Sequence, residues 1–69
     1  MNASERIRVM KEYADEMELR WKTYVPHHAN KKVDDENISF FKHQYFLFTK
    51  NATILEFELL IEKEHPELP

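Results

Sequence analysis

Residues 38–62, ISFFKHQYFLFTKNATILEFELLIE, decide the fold, because this stretch fits two kinds of secondary structure. One pattern is helical, with apolar side chains spaced three and four residues apart. Its members are Ile38, Phe41, Tyr45, Phe48, Ala52, Leu55 and Leu59. The other pattern is that of strands, because residues 40–49 are rich in aromatic side chains and residues 55–62 largely alternate between apolar residues and glutamate.

A pairing test favours an antiparallel β-hairpin over residues 38–62. A turn at residues 49–51 would use Asn51 as the left-handed residue that glycine usually supplies. The register that follows places apolar residues opposite one another on one face and polar or oppositely charged residues on the other, which stabilises a hairpin. The facing pairs are Phe48–Ala52, Tyr45–Leu55, His43–Phe57, Phe41–Leu59, Lys42–Glu58 and Gln44–Glu56. A helix would instead place Glu58 and Glu62 one turn apart, where like charges repel.

Residues 3–24 predict one long amphipathic helix. Asn2 and Glu5 resemble a capping box at its start. Pro26 disfavours helical geometry at the residue before it, so the helix should end near Tyr24. The apolar stripe, with the heptad spacing of a helix packed along one side, is Ile7, Met10, Ala14, Met17, Trp21 and Tyr24. The ion pairs expected one turn apart are Glu16–Arg20 and Glu18–Lys22.

The remaining segments complete a single small domain over residues 1–69. Residues 26–37 are polar and rich in turn formers, which predicts a connector, and residues 63–69 predict a flexible acidic tail. The favoured fold class is α+β: a long N-terminal amphipathic helix packs on an antiparallel β-hairpin, and the chain assembles as a dimer. The alternative is an all-α three-helix bundle with helices near residues 3–24, 35–48 and 53–64.

The composition argues against the familiar enzyme classes. The chain has no glycine, so it contains no phosphate-binding loop, no dinucleotide-binding fingerprint and no G-x-S-x-G nucleophile motif. It has no cysteine, which excludes disulfides and thiolate zinc sites. Ser39 and His43 would lie near one another in a helix, but there is no obvious third group to orient the base. We expect a protein that is not an enzyme and uses no cofactor.

The uneven distribution of charge makes a nucleic-acid-associated regulator the second hypothesis. The net charge is −3, with the basic residues concentrated in residues 1–32 and the acidic residues in residues 33–69. An isoelectric point near 5.8 argues against a dedicated nucleic-acid binder, which usually has a concentrated basic face. The candidate residues are Arg6, Arg8, Lys11, Lys31 and Lys32.

Two adjacent histidines, His27 and His28, are weak candidates for a metal site and give the third hypothesis, a histidine-based metal-dependent module. Their spacing matches no established motif, since two histidines that bind zinc from one helical face lie four residues apart. A solvent-exposed pair in a loop is the more conservative interpretation. His43, opposite Phe57 in the hairpin register, is expected to be a half-buried core histidine.

The apolar surface of residues 38–62 gives the first functional hypothesis. One helix cannot cover both faces of a two-stranded sheet, and a large exposed apolar patch usually marks an interface. We therefore expect a protein-interaction module (a regulator, inhibitor or adaptor) that binds its own copy as a homodimer, another protein, or both. The residues expected to bind the partner are Phe40, Phe46, Phe48, Ile54, Leu60 and Trp21. With no apolar leader at the N-terminus and no membrane-spanning stretch, we expect a cytoplasmic location.

Overall fold

Two antiparallel α-helices joined by a short connector form the protein in a computed structural model that describes residues 2–64. Helix α1 spans Ala3–Lys22 and helix α2 spans Lys31–Glu64. At about 1.5 Å per residue the helices are roughly 30 Å and 51 Å long. The helical hairpin is a rod that measures 61 × 17 × 16 Å.

Helix α1 begins and pairs its charges as the sequence predicts. The side chain of Asn2 accepts a hydrogen bond of 2.8 Å from the backbone N–H of Glu5, which confirms the N-terminal cap. At the other end, the backbone N–H and the hydroxyl of Thr23 both donate to the carbonyl of Leu19, at 3.0 and 2.6 Å. The predicted pairs Glu16–Arg20 and Glu18–Lys22 form at 2.9 and 3.0 Å.

The interface between the helices follows two apolar stripes, one on each helix. Every predicted stripe residue of segment 3–24 is buried or half-buried, although α1 ends at Lys22 and Tyr24 lies just beyond it, and so is every residue of the helical pattern in α2. This match confirms the predicted stripe of α1 and shows that the helical pattern of residues 38–62 is the one the chain uses. Even so, the buried apolar side chains among the described residues are only Ile7, Ala14, Met17 and Ala52.

Contacts between the helices fix their antiparallel register. Near the connector, the rings of Trp21 and Tyr45 pack with centres 5.7 Å apart. Further along, the ring centres of Tyr13 and Phe48 lie 4.4 Å apart. Towards the open end, Nζ of Lys11 lies 2.7 Å from the Glu56 carboxylate. Residues nearer the C-terminus of α1 therefore contact residues nearer the N-terminus of α2, as antiparallel packing requires.

The predicted β-hairpin over residues 38–62 is wrong, because α2 is continuous through it and residues 2–64 contain no strand. The hairpin needed a left-handed residue at Asn51, but no residue in the described part of the chain has a positive φ. A continuous helix satisfies its backbone hydrogen bonds within one segment and also turns its apolar stripe towards α1. Repulsion between Glu58 and Glu62 costs only about 0.2–0.5 kcal/mol, which is too little to prevent it.

The all-α alternative is right about class but wrong about the number of helices. Helix α2 has no break between residues 48 and 53. It also starts at Lys31, so residues 31–37 of the predicted connector are helical. The side chain of Asn30 accepts a 3.0 Å hydrogen bond from the backbone N–H of Lys32 and caps this start.

Two smaller predictions change with the fold. His43 is exposed and not half-buried, because the hairpin register that placed it against Phe57 does not form. Lys63 and Glu64 end α2 and are not part of a tail. The rest of the predicted tail, residues 65–69, lies outside the described residues.

Candidate functional site

The side of α2 that points away from α1 carries a continuous row of exposed apolar side chains. Phe40, Leu47, Ile54 and Ile61 recur every seven residues, and their exposed fractions are 54, 39, 46 and 44%. Three further exposed side chains widen the row, with exposed fractions of 51–62%. We call the whole set the outward face of α2; it consists of Phe40, Phe46, Leu47, Ile54, Phe57, Leu60 and Ile61.

The seven-residue spacing explains why this row stays on one side of the helix. Seven residues turn a helix almost two full turns, so the row drifts by only about 20° per heptad. From Phe40 to Ile61 the outward face therefore runs for about 32 Å along α2. Helix α2 has one apolar side that contacts α1 and a second that stays largely exposed, although the ring of Phe46, at the edge of this second side, has its centre 6.0 Å from that of Trp21. A helix that is apolar on both sides is stable only when both sides are covered.

The outward face is large enough to support a stable interface. Each of its residues is about half exposed, and a large side chain in this state offers on the order of 100 Å². Two such faces would bury roughly 1,400 Å² in total, within the range of about 1,200–2,000 Å² that is typical of specific protein–protein complexes. The exposed apolar area thus matches a protein partner better than a small ligand.

Charges flanking the outward face differ in sign between its two ends. Lys42 and Lys50 lie along its N-terminal half, and Nζ of Lys42 is 5.3 Å from the ring of Trp21. Its C-terminal half is flanked by Glu58, Glu62 and Glu64, all exposed. The face therefore has a basic half and an acidic half along its length.

The structure places four of the six predicted partner-binding residues, Phe40, Phe46, Ile54 and Leu60, on the outward face. The other two turn towards the partner helix within the same chain: Phe48 packs on Tyr13, and Trp21 packs on Tyr45 and Phe46. Three residues of the face, Leu47, Phe57 and Ile61, are not among the predicted partner-binding residues; in the hairpin register Phe57 faces His43, the expected core histidine. The signal in the sequence for Leu47 and Ile61 is the seven-residue repeat.

The five basic residues of the nucleic-acid hypothesis do not form one face. Arg6, Arg8 and Lys11 lie in the first half of α1, whereas Lys31 and Lys32 begin α2 at the other end of the rod. Three of the five also pair with carboxylates, at distances of 2.7–3.1 Å. These pairs are Arg8–Glu12, Lys11–Glu56 and Lys31–Asp35.

The connector contains a second polar site, centred on the buried carboxylate of Asp34. This side chain lies in the first turn of α2 and is only 3% exposed. Its Oδ1 accepts hydrogen bonds from the Tyr24 hydroxyl at 2.8 Å, the His27 backbone N–H at 3.3 Å and Nδ1 of His28 at 2.6 Å. Its Oδ2 accepts from the backbone N–H of His28 at 3.2 Å. The carboxylate thus ties the connector to α2.

These contacts perturb two acid groups in opposite directions. The hydrogen bond from the His28 side chain, together with those from Tyr24 and the two backbone N–H groups, lowers the pKa of Asp34 well below its ordinary range, against the opposing effect of burial. Burial raises the pKa of the Tyr24 hydroxyl above 10.0. Asn37 donates a hydrogen bond of 3.0 Å to the same hydroxyl, which acts in the opposite sense. Asp34 is therefore ionised and Tyr24 protonated at neutral pH.

The pair considered for nucleophilic chemistry is brought only loosely together. Ser39 and His43 lie one turn apart on α2, and both are exposed. Within the described residues no hydrogen bond joins them, and no third side chain orients the histidine. The geometry does not assemble a nucleophile with its base.

Comparisons with protein-family models, with curated proteins and with solved structures found no match. Neither α1 nor α2 has an apolar stretch of the length needed to cross a membrane.

Proposed function

We propose that the protein is a small non-enzymatic interaction module that binds a second copy of itself through the outward face of α2. One observation carries the proposal: within the described residues the two helices bury only four apolar side chains, while seven large ones stay exposed along one side of α2. When two such hairpins pair through these sides, the product is a four-helix bundle with an apolar core. Pairing thus supplies the core that a single hairpin lacks.

The charges flanking the outward face support an antiparallel arrangement of the two α2 helices. In a parallel pair, Lys42 would face its own copy, and so would the glutamates near the C-terminal end. In an antiparallel pair the basic half of one helix faces the acidic half of the other. Opposite charges across an interface favour the correct partner and orientation.

The spacing of the outward face also defines a register for this arrangement. A two-fold axis near residues 50–51 places Phe40 opposite Ile61 and Leu47 opposite Ile54 of the second copy. This is the self-complementary interface of a symmetric dimer, in which each contact occurs twice. Lys50 lies close to the axis, where its aliphatic stem covers apolar surface while its ammonium group reaches solvent.

Cysteine cross-linking tests both the pairing and its orientation, because the natural chain has no cysteine. His43→Cys and Glu58→Cys each introduce one thiol, four residues before Leu47 and four residues after Ile54. After the two variants are mixed and oxidised, we expect the mixed 43–58 disulfide to predominate on a non-reducing gel. The two same-site disulfides should be rare, because an antiparallel pair places equivalent thiols about 22 Å apart.

Each other outcome contradicts part of the proposal. Same-site disulfides at both positions, without the mixed product, would show a parallel pair. No cross-linking above that of a matched control, Leu19→Cys on the exposed side of α1, would remove self-association through this face.

The same proposal includes the wider role expected from the sequence, that of a cytoplasmic regulator, inhibitor or adaptor. Pairing through α2 leaves the exposed side of α1 free, including Val9 and Leu19. Cell fractionation tests the location. Capture of the same partner by the wild-type chain and not by a variant that stays monomeric would support a role that requires the dimer.

A further inference from the structure

The connector brings two imidazole rings next to the buried carboxylate of Asp34. His27, His28 and Asp34 each offer one potential ligand atom, and these atoms lie within 4.8 Å of one another. The centres of the two imidazole rings are 4.1 Å apart. Both histidines are exposed, so an ion from solvent can reach them.

Hydrogen bonds to the δ nitrogens define which ring nitrogens remain available. Nδ1 of His27 lies 2.9 Å from the carbonyl oxygen of Val25, which can only accept, so this nitrogen carries a proton. Nδ1 of His28 lies 2.6 Å from the carboxylate of Asp34, which is ionised, so it also carries a proton. When each ring is neutral, its free lone pair is therefore on Nε2.

Metal-binding histidines commonly have this arrangement, in which the nitrogen that is not a ligand donates to a carboxylate or a backbone carbonyl. Such a partner fixes the tautomer, orients the ring and raises its basicity. Here the two partners are the two types expected, a backbone carbonyl for His27 and a buried carboxylate for His28. Anchoring of the connector to Asp34 uses the His28 imidazole, two backbone N–H groups and the Tyr24 hydroxyl, and it does not use the His27 imidazole.

We propose that Nε2 of His27 and Nε2 of His28 together bind one divalent transition-metal ion of the class that imidazole favours, represented by Zn²⁺. Asp34 is the positioning residue for His28 and is not a ligand, because its two oxygens already accept four hydrogen bonds. With two protein ligands, water completes the coordination shell. The bound ion would hold the two imidazole rings of the connector together, and the hydrogen bond from His28 to Asp34 would tie them to the start of α2.

Titration of the chain with Zn²⁺ alone, followed by calorimetry, tests this site. Calorimetry should show saturable binding of one ion per chain. In NMR spectra, the ¹⁵N chemical shifts of Nε2 of His27 and of His28 should change when Zn²⁺ is added. His27→Ala and His28→Ala should each weaken binding at least tenfold, whereas His43→Ala, which removes an exposed histidine of α2, should bind as the wild type does. Asp34→Asn should weaken binding by roughly 10–100-fold, as the loss of a ligand's orienting partner commonly does.

Circular dichroism shows which variants keep their helices. If His28→Ala or Asp34→Asn unfolds, His27→Ala alone tests the site, because the His27 ring makes no hydrogen bond to Asp34 and its loss leaves that anchor in place. No heat of binding in the wild type, or equal binding by wild type and His27→Ala, overturns the proposal. The site does not depend on dimer formation, so Phe57→Asp, on the outward face, should bind Zn²⁺ with unchanged affinity. Loss of Zn²⁺ binding in this folded variant would equally overturn a site formed within one connector.

Discussion

Nδ1 of His28 lies 2.6 Å from Oδ1 of Asp34, so a side chain of the connector and the first turn of α2 share one part-buried hydrogen bond to a charged group. The same carboxylate accepts hydrogen bonds from the backbone N–H groups of His27 and His28. A bond to an ionised group is stronger than one between neutral groups. This residue therefore fixes where the chain turns from α1 into α2.

The stability of the fold should fall in acid because of Asp34. Its pKa is lowered from 3.8 in the folded chain, so as the pH falls the unfolded chain takes up the proton first. The contribution is fully present above pH 3.8 and is lost progressively as the pH falls towards the folded pKa. Thermal melts with EDTA should show that Asp34→Asn lowers the melting temperature by roughly 5 °C or more at neutral pH, with the difference shrinking below about pH 4.

Asp35→Asn is the matched control for this measurement, because Asp35 is exposed and pairs only with Lys31 on the surface. Surface ion pairs contribute about 0–1 kcal/mol, so this variant should follow the wild type closely. Melting curves of wild type and Asp34→Asn that stay equally far apart down to about pH 2 would contradict the assigned role of the carboxylate.

The close packing of the helices at Ala52 gives a second prediction. Ala52 is only 1% exposed, so a larger side chain there must push α1 and α2 apart. We expect Ala52→Leu to lower the free energy of unfolding by about 1–3 kcal/mol. Lys22→Leu, at an exposed position of α1 away from the outward face, should change it by less than about 0.5 kcal/mol.

Urea denaturation at one fixed protein concentration measures both variants, since the stability of a self-associating chain depends on its concentration. Equal stability of Ala52→Leu and the wild type would show that the helices do not approach closely at this residue.

The sequence predicted α1 well because several local signals agree there. Asn2 supplies a cap, an apolar stripe repeats over six positions, and Pro26 prevents continuation. For residues 38–62 the local signals conflict, since aromatic residues favour strands while the spacing of Phe41, Tyr45 and Phe48 favours a helix. Tertiary packing decides, because α1 offers an apolar stripe that a continuous helix can match along its length.

The conflict between strand and helix patterns also explains why only some residues of the outward face were predicted. Phe40, Phe46, Ile54 and Leu60 are exposed in the helix as they would have been on the outer side of the hairpin. Phe57 was missed, since its side depends on whether the period is two residues or 3.6 residues. The role of Asp34 beside His28 could not be read from spacing alone, because it depends on how the connector folds back on α2.

The position of Lys50 near the proposed two-fold axis gives a third prediction. In the antiparallel dimer two Lys50 side chains lie close together, so an apolar replacement should strengthen pairing. A buried leucine contributes about 1.5–3 kcal/mol. Lys50→Leu should therefore lower the dimer dissociation constant at least about tenfold.

Sedimentation velocity over a range of concentrations measures this change. Lys22→Leu, on α1, is the control and should leave the dissociation constant near that of the wild type. If Lys50→Leu leaves pairing unchanged or weakens it, the axis does not lie near residue 50.

Self-association through the outward face of α2 is most directly tested by the mass of the chain in solution. Phe57→Asp is the sharpest variant, because this side chain lies on the outward face and, at 62%, is its most exposed member. Leu19→Asp is the control, since Leu19 is 58% exposed but lies on α1. Circular dichroism should show that both variants keep the helix content of the wild type.

Sedimentation equilibrium should then give the wild type and Leu19→Asp a mass of about twice the 8.4 kDa of the chain. Phe57→Asp should remain at 8.4 kDa, with a dissociation constant raised at least about 100-fold by two charges placed in the apolar interface. A wild-type mass of 8.4 kDa at every concentration, or a Phe57→Asp variant that pairs as strongly as the wild type, would contradict the account.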